Sequence, residues 1–309
     1  MLPLKEYIKH PSLFFSSVLR DYGFWIPDRW YLQMKYYLEM GNWLNLKSPK
    51  TFGEKIQWLK LYDRRSEYTM MVDKYAVKDY VASVIGKEYV IPTLGVWDSP
   101  EEIDFDDLPQ QFVLKPTHLG GGSVFICKNK TSFDINGVVE RMKGALKGDM
   151  YKVYREWPYK NVPRRVIAEK YIKNSSDESL DLTDYKFYCF SGIPMYCQVI
   201  KDRNSKETID FFDMDWNHQT FYGLNPVYVS SSKIVKAKRA PAKPIHFDEM
   251  KEMARKLSEG LPFSRIDLYD TKNGPLFGEI TFYPASGIGT FAPSEYNIIL
   301  GEMINLPNM

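Results

Sequence analysis

The strongest constraint on this chain is a change of hydrophobic period near residue 88. Before it, apolar residues recur at helical spacing, Trp30, Met34, Tyr37 and Leu38 in one run and Phe52, Ile56, Leu59 and Tyr62 in another. Pro27, Gly41 and Ser48-Pro49 punctuate these runs, and the spacing predicts a further helix from Val72 to Val84. After it, β-rich runs bounded by breakers take over, at Tyr89 to Ile91 before Pro92, at Gln111 to Lys115 and at Val166 to Ile172. Lys186 to Phe190, Ser191-Gly192 and Met195 to Ile200 read as a hairpin. Glu101 to Asp104 reads as a solvated turn or short helix, and a lysine-rich helix is expected from Val138 to Lys147. A single helix interrupts the strands of the second half: Asp248 is placed to cap it, Met250, Met253, Ala254 and Leu257 line one face, and Gly260 ends it. Helical runs thus come first and strands dominate afterwards, without internal repeats.

Composition bounds the function. Lys plus Arg number 41 against 39 Asp plus Glu, and a net charge of +2 supplies no broad basic field, so nucleic acid is not the expected partner. The 3 cysteines, Cys127, Cys189 and Cys197, form no CxxC pair, and their odd number argues for a reducing, cytoplasmic setting. The apolar patch Leu13-Phe14-Phe15 is broken by Ser16 and Ser17 and closed by Arg20-Asp21, which makes a poor signal peptide. No window reaches the roughly 18 to 20 uncharged apolar residues of a membrane span. Aromatic residues make up 15%, and their crowding from Phe14 to Trp43 fits either buried helix packing, the expected arrangement, or a face laid on the inner surface of a membrane. Lys233, Lys236, Lys238, Arg239 and Lys243 read as a solvated loop rather than an anion-binding lid.

Chemistry is possible at three places. Lys115-Pro116-Thr117-His118-Leu119-Gly120-Gly121-Gly122-Ser123 is a strand ending in a lysine followed by consecutive glycines. Such glycines let backbone N–H groups converge on phosphate oxygens, although the pattern is neither a Walker A loop nor GxGxxG. Among the histidines, only His118 lies beside this loop. In the second place, Arg265 and Asp267 share one strand face, and Glu279 and Thr281 share another after Lys272-Asn273-Gly274. A two-residue Asn-Gly turn would put Asp267 opposite Ile280, whereas a three-residue loop ending in Gly274 would pair Asp267 with Glu279, where a cation such as Mg²⁺ would relieve their repulsion. Pairing of Asp267 with Arg265 or a lysine is the equal alternative. The third place, Asp213-Met214-Asp215, has the form of a sugar-nucleotide metal motif, but turn capping by Asp215 near Asn217 is the expected use.

In order, these pieces resemble the ATP-grasp superfamily. Leu46 to Lys60, Asp73-Lys74-Tyr75-Ala76-Val77-Lys78, Asp184-Tyr185-Lys186-Phe187 and Gly278-Glu279-Ile280-Thr281-Phe282 resemble its TupA-like branch, related to teichuronopeptide synthesis proteins, over about residues 44 to 302. The resemblance implies an α+β fold: a mostly helical N-terminal region (1–70), then two α+β lobes clamping ATP, an N-lobe with a glycine-rich lid (71–165) and a C-lobe with a metal site (166–309). It implies Lys115 and Lys186 on the phosphates, Gly120, Gly121, Gly122 and Ser123 as the lid, and Glu169, Lys170 and Ile172 at the adenine hinge. Asp267, Glu279 and Thr281 would hold Mg²⁺, and Arg265 would meet the γ-phosphate or an acyl-phosphate. Thr281 stands where many members carry Asn, and a hydroxyl is a poorer metal ligand than an amide carbonyl, which bears on a second Mg²⁺. The implied activity is carboxylate–amine ligation through an acyl-phosphate, forming a carbon–nitrogen bond with release of ADP and phosphate in surface-polysaccharide or polymer synthesis, with a glycan-linked substrate as one alternative. A glycosyltransferase using Asp213 and Asp215, and a non-catalytic ATP-binding module, are the competing readings.

Overall fold

The structure is a computed structural model that describes residues 8–120, 122–174, 182–202, 207–226 and 235–308. Its first third is helical, with α1 (Pro11–Tyr22), α2 (Asp28–Met40), α3 (Phe52–Tyr62), α4 (Glu67–Val72) and α5 (Val77–Val84). The α3 N-terminus carries a capping box, in which Thr51 and Glu54 satisfy each other's backbone N–H groups. The single helix expected over 72–84 is divided at Asp73. There the Asp73 carboxylate accepts from the N–H groups of Tyr75 and Ala76, a local alternative to continuing the helix.

Four antiparallel strands follow in the order β1 (Thr93–Trp97), β4 (Val166–Lys170), β2 (Phe112–Pro116) and β3 (Phe125–Cys127). The strand expected at Tyr89 to Ile91 begins instead after Pro92, leaving only an isolated bridge from Val90 to Phe277. Helix α6 (Ile135–Leu146), capped by Asp134, brings Val138 and Met142 into a small core with Phe112, Leu114, Cys127 and Val166. Helix α7 (Met150–Tyr154) follows, with Asp149 as its cap.

A second antiparallel sheet has the order β10 (Gly274–Thr281), β9 (Phe263–Thr271), β5 (Asp184–Phe190), β6 (Ile193–Lys201) and β7 (Thr208–Asp213), and β8 (Tyr222–Asn225) pairs separately with β11 (Thr290–Ala292). Ser191 and Gly192, both at positive φ, close the expected β5–β6 hairpin. Helix α8 (Phe247–Leu257) buries Phe247, Met250, Met253, Ala254 and Leu257, with Phe247 stacked on Phe187 of β5. Its N-cap is His246 rather than Asp248, which lies in the first turn. The chain ends in α9 (Tyr296–Glu302), which packs on α3.

Two expectations are corrected by packing. The aromatic N-terminal region is not mainly buried: Phe14, Trp25 and Trp30 are 51%, 74% and 64% exposed. The β9–β10 connection is also neither of the loops considered. Thr271 pairs with Gly274, leaving a two-residue turn of Lys272 and Asn273, because the Thr271 hydroxyl bonds both the Asn273 N–H and the Gly274 carbonyl. That register would set Asp267 opposite Gly278. A bulge between Phe277 and Glu279 absorbs one residue, and Asp267 faces Glu279 after all.

Gly278 occupies the bulge because there is no room for more. A Cβ there would lie 2.9 Å from the Asp267 carbonyl oxygen and 3.0 Å from the Tyr269 ring. Gly278→Val is expected to destabilise the fold by about 1–3 kcal/mol, the range for overpacking. Urea unfolding of the variant against wild type measures this, and an unchanged midpoint would show that the bulge tolerates a side chain.

Candidate active site

The bulge sets a row of charge across the second sheet. Glu279 on β10 faces Asp267 on β9, and Asp267 faces Lys186 on β5. In the neighbouring row Thr281 faces Arg265, two residues before Asp267 and on the same side of the strand. The opposite face carries Ile266, Leu268, Ile280 and Phe187, all in the main core. Alternation therefore sorts the same strands into an apolar side and an ionic one.

On the ionic side, two carboxylates that would repel are held by three cations. Arg265 grips Asp267 bidentately, at 2.7 Å from Nε and 2.8 Å from Nη2. The same Nη2 reaches Thr281 Oγ1 at 3.1 Å and Glu279 Oε1 at 3.4 Å. Lys186 donates to Asp267 and lies 3.5 Å from Asp184, and Lys74 donates to Glu279 at 3.1 Å. Burial alone would raise the Glu279 carboxyl, but Lys74, Lys186 and Arg265 outweigh it and hold it well below the usual carboxylate range.

A second ionic cluster grows from the first sheet. Glu169 on β4 faces Val113 on β2, so Lys115 stands diagonally across from it and pairs at 2.5 Å, while Lys78 from α5 pairs at 2.6 Å. Glu169 is buried, which by itself would raise its carboxyl, yet the two lysines keep it below its ordinary value. Tyr269 of β9 lies within electrostatic reach of both clusters: burial, then Asp184, Glu279, Asp267 and Glu169, push its hydroxyl well above the ordinary tyrosine value.

Arg265, Glu279 and Thr281 open onto a cavity of about 490 Å³, whose rim includes Gly120 and Ser123. Its donors are hard oxygens that suit Mg²⁺. Glu279 and Thr281 offer a carboxylate and a hydroxyl to the cavity with Asp267 facing Glu279 behind them, and no group of three or more His, Cys, Asp or Glu able to hold a metal occurs among the described residues.

The profile of a family described as TupA-like ATP-grasp matches residues 54–305. The chain belongs to the TupA-like ATP-grasp family. No curated protein matches it. Solved structures similar to it include a D-alanine–D-alanine ligase from Helicobacter pylori, 15% identical with a TM-score of 0.42, over 82% of this chain and 69% of that one. The Bacillus anthracis D-alanine–D-alanine ligase complexed with ATP is 15% identical, TM-score 0.39, over 76% of this chain and 63% of that one. The ATP-grasp ligase PsnB with its minimal precursor is 11% identical, TM-score 0.40, over 81% and 67%. The chain thus spans about two thirds of the length of these ligases.

Within this TupA-like ATP-grasp chain, some of the residues singled out from sequence come together and others do not. Arg265, Asp267, Glu279, Thr281 and Lys186 come together, as do Lys115 and Glu169. Gly120 and Ser123 reach the cavity, Gly122 is exposed at φ +104°, and Gly121 lies outside the described residues. Lys170 is exposed at the end of β4 with its N–H already bonded to the Pro92 carbonyl, and Ile172 lies beyond the strand. His118 is buried, its Nε2 3.2 Å from the Gly148 carbonyl oxygen, and desolvation lowers its pKa. In the Asp-x-Asp segment it is Asp213, not Asp215, that caps the turn, accepting from the N–H groups of Asp215 and Asn217 and from the Asn217 side chain. Sequence reasoning missed Lys74 and Lys78 as partners of the carboxylates, although both lie in the 73–78 motif that carries the family resemblance.

Glu169→Gln would leave two lysines buried without their counter-charge, an expected cost of about 3–5 kcal/mol at pH 7. Because the folded-state pKa of Glu169 is depressed, its contribution is complete above the unfolded value of about 4.3 and is lost as pH falls through the folded value. Urea unfolding at pH 7 and pH 3 should show the gap between variant and wild type narrowing in acid. A gap that widens in acid would contradict this electrostatic assignment.

Proposed function

We propose that this chain is an ATP- and Mg²⁺-dependent carboxylate–amine ligase. The observation that carries the reading is the Glu279–Asp267–Lys186 row with Arg265 and Thr281 beside it, of which Glu279, Arg265 and Thr281 line a cavity shared with Gly120 and Ser123, in a chain of the ATP-grasp family. Lys115 and Lys186 would bind nucleotide phosphates, Gly120 to Ser123 would cover them, and backbone groups between Glu169 and Ile172 would meet the adenine. Asp267 and Glu279, with Thr281 beside them, would hold Mg²⁺, which when bound neutralises phosphate charge.

The substrate carboxylate would attack the γ-phosphorus, forming a carboxyl-oxygen-to-phosphorus bond as the bond to ADP breaks. An amine then attacks the acyl carbon, the new carbon–nitrogen bond replaces the carbon–oxygen bond, and inorganic phosphate leaves. No side-chain nucleophile is needed, because positioning and charge stabilisation carry phosphoryl transfer. Arg265 would stabilise charge on the transferring phosphoryl group, released from Asp267 and Glu279 as the nucleotide arrives. The related role, decoration of a cell-surface polymer by a cytoplasmic enzyme, follows the family resemblance alone. No helix among the described residues is long and apolar enough to cross a membrane.

The glycosyltransferase reading is disfavoured by the use of Asp213 as a turn cap. Glu279→Gln should lower ADP formation by about 100- to 1,000-fold, the range for losing one preorganised electrostatic contact, and should diminish the thermal stabilisation given by Mg²⁺–ATP. Asp215→Asn should change neither. Stabilisation by a Mg²⁺–UDP-sugar alone, lost in Asp215→Asn and kept in Glu279→Gln, would overturn the ligase reading.

A further inference from the structure

A buried arginine holds two aromatic rings out toward water. The turn Gly23–Trp25, between α1 and α2, carries Phe24 and Trp25, which are 65% and 74% exposed. Arg155, just past α7 and 2% exposed, sends one guanidinium nitrogen to the carbonyls of Gly23, Phe24 and Ile26 at 2.9, 3.4 and 3.4 Å, and lies over the Tyr31 ring at 3.9 Å. Desolvating a guanidinium is costly, and what this one fixes is the path of a surface turn.

The turn continues one face of α1. Phe14, Phe15, Val18 and Tyr22 recur at helical spacing and are all exposed, whereas Leu13 and Ser16 on the other side of the helix are buried. Ile8 before the helix and Trp30 after the turn are exposed as well. Soluble chains rarely show a contiguous apolar patch of this kind to water unless something binds there.

The surrounding charge selects the occupant. Lys9 and Arg29, at the two ends of the stretch, are exposed, and the exposed Lys152 of α7 lies over the Phe24 ring at 5.6 Å. The acids of the same stretch are already neutralised: Asp21 pairs with Arg20 at 2.7 Å, and Asp28 pairs with Arg64 at 2.6 Å and with Arg155 at 3.2 Å. A two-fold contact between copies of this chain would set like cations against one another. Tyr and Trp rings flanked by Lys and Arg instead match the headgroup level of a bilayer that carries anionic lipid.

We propose that the face formed by α1, the Gly23–Trp25 turn and Trp30 docks on an anionic bilayer surface, with α1 lying in its plane. This docking does not depend on the ligase reading. It does orient the cavity: Ser16, on the inner side of α1, donates to Glu39, and Glu39 lines the cavity together with Met150 and Tyr154 of α7. Docking therefore sets the cavity one helix layer behind the bilayer-facing surface.

The test sediments the full chain with vesicles of phosphatidylcholine alone and of an equimolar phosphatidylcholine–phosphatidylglycerol mixture. Wild type is expected to follow the mixed vesicles far more than the neutral ones. Trp25→Ser should weaken that partitioning by about tenfold or more, as for returning a large ring to water, and Lys9→Gln by about fivefold. Trp25→Phe keeps a large apolar ring and should bind as wild type, as should Ile193→Ser, at an exposed apolar position of the β5–β6 hairpin. A readout without any variant is quenching of wild-type tryptophan emission by mixed vesicles with brominated acyl chains, which is expected to be strong. No binding to either vesicle, equal binding to both, no quenching, or unchanged binding by Trp25→Ser would overturn the proposal. Self-association abolished by Trp25→Ser, without vesicle binding, would assign the face to a second copy and overturn it equally.

Discussion

The opposition of Asp267 and Glu279 across β9 and β10 is the constraint around which the ionic half of this molecule is arranged. Like charges directly opposite on neighbouring strands are destabilising, and this pair meets only because a bulge beside Gly278 re-aims one strand by a residue. The compensating cations come from three places: Arg265 from the same strand as Asp267, Lys186 from β5, and Lys74 from the turn between α4 and α5. Replacing all five by apolar residues would be the simpler way to stabilise a sheet. An ionic row on one face, with an unbroken apolar row on the other, divides this sheet between a packed side and a charged one.

Lys74 also shows how the helices serve this row. It can reach Glu279 only if the chain leaves the helical path before α5. Asp73 favours that departure by accepting the Tyr75 and Ala76 N–H groups on one carboxylate oxygen, in the turn before α5, and pairing with Arg165 through the other, at 3.1 Å. The Lys74 N–H then bonds the Thr117 carbonyl, at 3.1 Å, just past the end of β2 and before the glycines. One short turn thereby connects the Glu279 carboxylate, the first sheet and the start of the glycine segment. A continuous helix from 72 to 84, as periodicity suggests, would separate all three.

Much of the fold was legible because its signals are local. The hairpin around Ser191-Gly192, the amphipathic α8 and the alternation of Arg265 with Asp267 each follow from residues close in sequence. What escaped depends on distant partners. The bulge at Gly278 is set by the Asp267 carbonyl and the Tyr269 ring, and nothing in the Gly274–Thr281 segment alone announces it. A three-residue loop would also pair Asp267 with Glu279, but the chain reaches that pairing through a two-residue turn and a bulge. The N-terminal aromatics misled for the opposite reason: aromatic residues usually pack inward, yet Phe14, Phe15, Val18 and Tyr22 form a stripe along the outer face of α1. Lys78 and Lys115 were visible as lysines, but their shared target, Glu169, is apparent only once β2 and β4 are set side by side.

The two acidic motifs of the second sheet show why spacing alone does not define a site. Asp213 and Asp215 lie at the end of β7, one edge of the sheet, and Glu279 lies on β10 at the other. Asp213 is satisfied by the N–H groups of its own turn, and its carboxyl is lowered by those bonds, from Asn217 above all, against burial. Asp215 is exposed. A carboxylate closing its own loop has its lone pairs committed for the sake of the backbone, and moving it onto a ligand would open the turn. Asp267 and Glu279 are committed too, but to side chains of opposite charge that can turn toward an incoming anion. The difference lies in what must break: a fold-defining turn in one case, exchangeable ion pairs in the other. That difference, and not the number of acidic residues, sets the carboxylates of β9 and β10 apart from those at the end of β7.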